Sequence, residues 1–148
     1  MSNTPDPATP APLASHPIHL GTGATAVPQP VFTGELDWYM GYGQRHGADG
    51  REGRLLSMHT LESPATTWEV HPEGSEVVLV VSGRLRLHQE HPDGRVETLV
   101  IDPGEYAING PGVWHTAEPL DGPATAVFIT CGAGTQLRPR EGPQSTST

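Results

Sequence analysis

Lysine is absent from this 148-residue sequence, cysteine occurs once, and there is no long apolar run. The single Cys131 cannot form an internal disulfide, so nothing indicates an oxidising compartment, and we expect a buried, inert thiol. No apolar stretch approaches the roughly 18 residues of a membrane-spanning helix, and no secretory signal pattern is recognisable. These absences predict a soluble, cytoplasmic protein with no membrane partner.

The charge balance excludes a further class of partner. The formal net charge is −9, the isoelectric point is about 5.2, and all eight basic residues are arginine. A nucleic-acid-binding protein favours a basic face, so no nucleic-acid partner is expected. A chain of this length is most simply a single domain with its own apolar core.

The two ends of the chain differ in composition from its centre. Residues 1–30 are rich in Pro, Ala, Ser and Thr and have few large apolar side chains, which predicts a flexible N-terminal arm. Residues 135–148 have the same character and predict a flexible C-terminal tail. The folded domain is therefore expected over residues 31–134. His16 and His19 fall in the arm, where no folded site is expected.

The centre consists of short segments with strand-like alternation, separated by Gly, Pro and Asp turns. The predicted strands are 36–42, 54–61, 67–71, 77–81, 84–90, 96–101, 106–109, 113–119 and 124–131. Asp93-Gly94 is a strong hairpin signal between two of them. No segment has a sustained 3.6-residue apolar period, so no helix of any length is expected. The pattern indicates an all-β antiparallel sandwich or barrel.

Four residues with metal-ligating side chains occur where predicted strands begin or end. Glu69 and His71 are two apart on one strand and project from the same face. Pro and Gly at 72–74 break the strand, so Glu76 at the start of the next one can turn back towards them. His115 follows a Gly-Pro-Gly turn and also lies at a strand start. Two imidazoles and two carboxylates form a plausible ligand set for a divalent first-row metal, although a hydrogen-bonded polar cluster is the alternative.

These residues lie in segments that resemble the two motifs of the cupin superfamily, and the resemblance covers about residues 35–132. The first motif matches at His71, Glu76 and Gly83. The second matches at Gly104, Pro111, Gly112 and His115. The resemblance implies a double-stranded β-helix, or jelly-roll, barrel that is often a homodimer and binds a metal inside.

By this resemblance, His71, Glu76 and His115 fall on three of the four metal-ligand positions of the family. The fourth position is usually histidine, but here it is Glu69. Two carboxylates would neutralise a divalent cation and favour Fe, Mn or Zn over a softer copper site. Alternatively, Glu69 stays off the metal and acts as an acid or base beside it. His59 is the other candidate for proton transfer, although a surface position is an equally acceptable interpretation.

The expected function is that of a metal-dependent enzyme acting on a small organic molecule inside the barrel. An oxygenase fits, as does an isomerase, cyclase or lyase that uses the metal as a Lewis acid. A non-enzymatic barrel that binds a sugar or metabolite is the first alternative, and a barrel with a vestigial site is the second. Trp68 and Trp114 each neighbour a candidate ligand in sequence and should therefore point away from the site.

Overall fold

The computed structural model describes residues 3–141, and antiparallel β-strands are its main secondary structure. The strands are β1 (Ile18–Gly21), β2 (Thr25–Pro28), β3 (Arg54–Leu61), β4 (Thr67–Val70), β5 (Glu76–Glu90), β6 (Val96–Ile101), β7 (Tyr106–Asn109), β8 (Trp114–Thr130) and β9 (Gln136–Pro139). Between β2 and β3 lies α1 (Leu36–His46), followed by a 3₁₀ segment (Gly47–Glu52). No helix in the described part of the chain is long and apolar enough to cross a membrane.

The long strands β5 and β8 connect the two faces of a barrel. Residues 124–130 of β8 lie between β3 and the first half of β5, which gives one sheet with the order β2-β1-β3-β8-β5-β7. Residues 114–120 of β8 lie between β4 and the second half of β5, which gives the other sheet with the order β9-β4-β8-β5-β6. The predicted all-β jelly-roll is confirmed, and its adjacent predicted strands at 77–81 and 84–90 are one bulged strand.

The apolar core fills the space between the two sheets. Its buried side chains alternate along the strands and so share the inward face: Val78, Val80, Leu85, Leu87, Ile101, Ala124 and Ala126. Leu61, Leu99 and Phe128 pack against this cluster. The core occupies one end of the barrel interior, so the inward polar residues collect at the other end.

The predicted strand at 36–42 is wrong, because these residues form the first turns of α1. Trp38 and Tyr42 lie four residues apart on one helix face with their ring centroids 5.7 Å apart, and the ring of Trp38 also contacts Phe32. Asp37 in the first turn suits the positive end of the helix dipole. Only Trp38 is fully buried, so the apolar stripe is too short to display a helical period in the sequence. Packing of the aromatic rings decides the conformation.

The expectation of a flexible N-terminal arm is wrong for residues 18–28, which form β1 and β2. The ring of His19 is buried, with Nδ1 2.6 Å from the Tyr42 hydroxyl and Nε2 2.7 Å from the Asp49 carboxylate. It also stacks on His46 at a centroid distance of 4.0 Å. These contacts join β1 to α1 and the 3₁₀ segment, and composition alone does not encode them.

The expectation of a flexible C-terminal tail is wrong for residues 136–139, which form β9 and pair with β4. The Arg138 guanidinium lies 5.0 Å from the ring centroid of Trp68 and 4.6 Å from that of Trp114. Arg138 also donates a 3.0 Å hydrogen bond to Glu90. Both indoles therefore lie on the outer face of the sheet and away from the candidate ligands, as predicted. Residues 142–148 of the predicted tail lie outside the described residues.

Gly83 lies at the bulge where β5 passes from one sheet to the other, and we expect Gly83→Ala to destabilise the fold by about 2–4 kcal/mol. Its φ is +71°, and an added Cβ would collide with the carbonyl oxygen of Pro123. The left-handed backbone alone costs about 1–2 kcal/mol for alanine, and the collision adds to this. Chemical denaturation measures the decrease in the free energy of unfolding.

Gly94→Ala is the matched control. The φ of Gly94 is +89°, but an added Cβ would have no neighbour within 4 Å. This control measures the cost of the left-handed backbone without the collision. An equal decrease in the free energy of unfolding for the two variants would contradict the proposed collision.

Candidate metal centre

The structure brings together all four residues predicted as metal ligands. Glu69 belongs to β4, His71 directly follows β4, Glu76 begins β5, and His115 is the second residue of β8. The register pairs Glu69 with His115, so both side chains leave the same inner face. One ligand atom from each residue lies within 4.8 Å of the other three.

The distances among these atoms match a shell around a first-row metal ion. The Nε2 atom of His115 lies 3.1 Å from Glu76 Oε1 and 3.7 Å from Glu69 Oε1. The Nε2 atom of His71 lies 3.3 Å from Glu76 Oε2 and 3.4 Å from Glu69 Oε1. Ligands about 2.1 Å from a common ion are about 3.0 Å apart in octahedral and about 3.4 Å apart in tetrahedral geometry. The residues therefore fit a divalent cation.

Both imidazoles are oriented as metal ligands through their other ring nitrogen. His115 Nδ1 lies 3.1 Å from the Val113 carbonyl oxygen, which can only accept, so Nδ1 carries the proton. His71 Nδ1 lies 2.8 Å from Thr135 Oγ1, whose own proton is donated to the Gly132 carbonyl. The two Nε2 atoms are buried without a hydrogen-bond partner. Each is therefore placed to offer a lone pair to a cation.

The fixed carboxylate of the site is Glu76. Its Oε1 accepts a hydrogen bond from Asn109 Nδ2 at 3.1 Å, and its Oε2 accepts one from Thr130 Oγ1 at 2.7 Å. Asn109 is held in turn by Gln89, which donates to its side-chain oxygen at 2.8 Å. A buried carboxylate with two neutral donors keeps its negative charge, so Glu76 requires a cation for full compensation.

Charge coupling dominates the protonation of the cluster in the absence of metal. Burial alone would lower the pKa of both imidazoles, but the neighbouring carboxylates raise the pKa of His71 to about 9 and that of His115 to about 10. Burial alone would raise the pKa of the carboxyls, but the imidazoles lower the pKa of Glu69 to about 2 and that of Glu76 further. A metal ion that binds at neutral pH would therefore have to displace a proton from each of the two histidines.

Glu69 differs from the other three residues in its access to solvent. Its side chain is 43% exposed, whereas those of His71, Glu76 and His115 are buried. His59 lies on β3 opposite Ala126, which places it on the inner face, and its ring contacts Phe32 and Phe128. Burial lowers the pKa of His59, and the charge of Glu69 opposes this effect. The surface alternative for His59 is thus wrong, while its part in catalysis stays a prediction.

The sequence did not identify the residues that orient the ligands. Thr135 falls in the predicted C-terminal tail, and the positions of Asn109, Gln89 and Thr130 fall in predicted strands. Their inward positions on predicted strands are a signal in the sequence. An unpaired amide inside a barrel is costly, so an inward polar side chain indicates a hydrogen-bond partner. No such signal exists for Thr135, since its contact with His71 spans 64 residues of sequence.

Thr135→Val should lower metal affinity by about tenfold to a hundredfold, because removal of the hydroxyl leaves the tautomer and ring angle of His71 unfixed. Competition between the protein and a chromogenic chelator for Zn²⁺ measures the change. Thr135→Ser keeps the hydroxyl and should restore most of the affinity. Thr98→Val is the control, because Thr98 contacts His88 away from the candidate ligands. Equal affinities for wild type and Thr135→Val would refute the positioning role.

Metal binding at pH 7 should release about two protons, because both ligand histidines are protonated in the metal-free protein. Affinity should consequently rise with pH through the neutral range and level off above about pH 10, where the competing protons have gone. Calorimetric titration in buffers of different ionisation enthalpy counts the protons. Release of none would show that the imidazoles are already neutral.

Comparisons with known proteins give structural matches only. No protein-family model matches the sequence, and no curated protein does. Oxalate decarboxylase from Bacillus subtilis, studied for its Mn(II) centres, superposes with a TM-score of 0.51 at 18% identity over 66% of this chain and 26% of that chain. An oxalate oxidase gives a TM-score of 0.47 at 16% identity over 56% of this chain and 44% of that chain. Procruciferin, an 11S globulin from Brassica napus, gives 0.48 at 10% identity over 59% and 22%.

The chain thus spans about a quarter of the length of oxalate decarboxylase, and at this identity the match concerns the fold. The same fold carries the two motifs at the positions where the sequence resemblance expects them, with His71 and Glu76 around the β4–β5 turn and His115 at the start of β8. The resemblance and the topology lead to the same assignment: the chain has the fold of the cupin superfamily.

Proposed function

We propose that this protein is a metal-dependent enzyme that acts on a small organic molecule inside the barrel. The observation that carries the proposal is the pair of buried Nε2 atoms without hydrogen-bond partners, which face two carboxylates at ligand distances. In a structural polar cluster, buried nitrogens normally have a well-aligned hydrogen-bond acceptor, which these two atoms lack. The donor set suits a divalent cation. Such a cation would compensate the charge of the two carboxylates, which the apolar core cannot do.

The proposed metal is iron, manganese or zinc. Two carboxylates and two neutral imidazoles around a dication form an uncharged centre with mixed oxygen and nitrogen donors. The Mn(II) centres of the Bacillus subtilis oxalate decarboxylase, which has the same fold, are consistent with this choice. When bound, such a metal supplies Lewis acidity or, if iron or manganese, access to redox chemistry.

Glu69, His71, Glu76 and His115 would hold the metal, which would polarise a substrate oxygen bound beside them. The substrate approaches from the side of Glu69, the one ligand candidate with substantial exposure. His59 is the proposed proton acceptor, because burial lowers its pKa and leaves its ring neutral at pH 7. Phe32 and Phe128 flank this ring and restrict its orientation.

Metal analysis of protein purified without added metal tests the centre directly. About one divalent ion per chain is expected, and chelation should lower the melting temperature, because a ligand that binds only the folded state stabilises it. Absence of stoichiometric metal together with an unchanged melting temperature on chelation would remove the basis of the proposal.

Glu69→Gln and Glu76→Gln separate the two carboxylates. Loss of the buried Glu76 charge should abolish metal retention, whereas Glu69→Gln should weaken retention by about tenfold to a hundredfold. Metal content after dialysis against a chelator measures both. Full retention by Glu69→Gln would assign Glu69 to acid–base work beside the metal instead of to the ligand set.

A panel of small hydroxy acids, keto acids and catechols tests turnover by the metal-loaded protein, with oxygen uptake and product masses as readouts. His59→Gln should reduce turnover without altering metal content. Ligands that raise the melting temperature but are recovered unchanged would favour the non-enzymatic alternative.

A further inference from the structure

Helix α1 carries two tyrosines, and only one of them holds the fold together through its hydroxyl group. The Tyr42 hydroxyl lies 2.6 Å from the buried ring of His19, which attaches the helix to β1. The Tyr39 hydroxyl has no hydrogen-bond partner within residues 3–141. Tyr39 is 46% exposed, so its phenol is free to bind a molecule that enters from solvent.

Tyr39 lies beside the solvent-exposed side of the candidate metal centre. Its ring contacts Phe32 at a centroid distance of 5.8 Å, and Phe32 contacts the ring of His59 on the inner face of β3 at 4.9 Å. The negative charge of Glu69 acts on both Tyr39 and His59. Because Glu69 is the one exposed ligand candidate, α1 supplies a side chain to the entrance of the centre although it belongs to neither sheet.

Three rings continue from Tyr39 into the barrel and are called here the aromatic row: Phe32, His59 and Phe128. The centroids of His59 and Phe128 are 5.8 Å apart, and Phe128 packs against the apolar core. A flat apolar ligand gains burial and ring contacts against such a row. A small, strongly hydrated ligand gains neither, so the row favours substrates that contain a ring.

The packing of Trp38 fixes the turn of α1 that carries Tyr39. The indole of Trp38 is buried, lies 5.0 Å from the ring of Phe32, and donates a 3.2 Å hydrogen bond to the Pro30 carbonyl. The ring of Trp38 also stacks on Tyr42. Tyr39 is therefore held in place before a ligand arrives, which lowers the entropic cost of binding through its hydroxyl.

The phenol of Tyr39 also supplies a type of group that the four candidate ligands do not offer to a substrate. Ionised carboxylates can only accept hydrogen bonds, and the Nδ1 atoms of both ligand histidines contact protein oxygens. Burial and the charge of Glu69 raise the pKa of Tyr39, so its hydroxyl keeps its proton at neutral pH and can donate. A substrate oxygen beside Glu69 would otherwise face negative charge alone on that side.

We propose that Tyr39 is a substrate-binding residue, which donates a hydrogen bond to an oxygen of a substrate whose flat, apolar ring packs against the aromatic row. The inference rests on the proposed metal-dependent function. It restricts the substrates of that function from small organic molecules in general to ring compounds that carry oxygen. The barrel would hold the metal, and α1 would select the substrate.

Isothermal titration calorimetry of the zinc-loaded protein tests the proposal with two probes that each carry a pair of adjacent oxygen atoms. In 4-nitrocatechol this pair is attached to a flat ring, whereas glycolate has only a two-carbon chain. Tyr39→Phe removes the hydroxyl and keeps the ring. It should lower the affinity for 4-nitrocatechol by about tenfold, because a hydrogen bond to a charged ligand is lost. The affinity for glycolate should not change, because this ligand does not extend to Tyr39.

Phe32→Leu tests the aromatic row. The substitution keeps an apolar side chain and removes the ring, so it should lower the affinity for 4-nitrocatechol by about threefold to tenfold and leave that for glycolate unchanged. Tyr106→Phe is the matched control for Tyr39→Phe. Tyr106 is a 66% exposed tyrosine of β7, and loss of its hydroxyl should alter neither affinity.

The zinc content and melting temperature of each variant separate a failure of this inference from a failure of the proposed function. Folded wild-type protein that retains no zinc would refute the metal-dependent function and this inference with it. Zinc-loaded Tyr39→Phe that binds 4-nitrocatechol as tightly as the wild type would overturn the inference alone. Equal losses of affinity for both probes would also overturn it, because Tyr39 would then act on the metal centre and not on the ring of the ligand.

Discussion

The compensation of buried negative charge is the constraint on which the rest of this structure depends. Glu76 is enclosed at one end of a barrel whose other end is an apolar core, and Glu69 points into the same space. Burial of uncompensated carboxylates would cost more than a domain of this size can spare. The imidazoles of His71 and His115 supply compensation as cations in the metal-free state. A bound divalent ion would supply it instead, with the same nitrogens as neutral ligands.

The barrel supports this arrangement through hydrogen bonds that come from separate parts of the chain. Asn109 from β7 and Thr130 from β8 hold Glu76, while Thr135, just before β9, accepts from His71. Strand pairing positions Asn109 and Thr130, and the turn before β9 positions Thr135, so the geometry of the centre depends on several separate segments. Glu69 lies on the exposed side of the cluster and differs in this from His71, Glu76 and His115, which are buried.

The N-terminal and C-terminal segments are ordered by contacts that their composition does not predict. β1 and β2 extend one sheet, and the His19 contacts with Tyr42 and Asp49 attach α1 to it. β9 extends the other sheet, where Arg138 lies between two indoles. The two extensions make the sheets wider, with β1 and β2 on one sheet and β9 on the other.

The sequence by itself determined the all-β class, most strand positions and the four candidate ligands, because period-two alternation and the motif spacing are local properties. Only tertiary structure decided the conformation of residues 36–42, since a helix stabilised by one buried indole and its aromatic neighbours has no period that distinguishes it from a strand. Tertiary structure also ordered 18–28 and 136–139, whose hydrogen-bond partners lie on β3 and β4. The orientation of the His71 ring was likewise decided there, because its Nδ1 is held by Thr135, which lies 64 residues away in sequence.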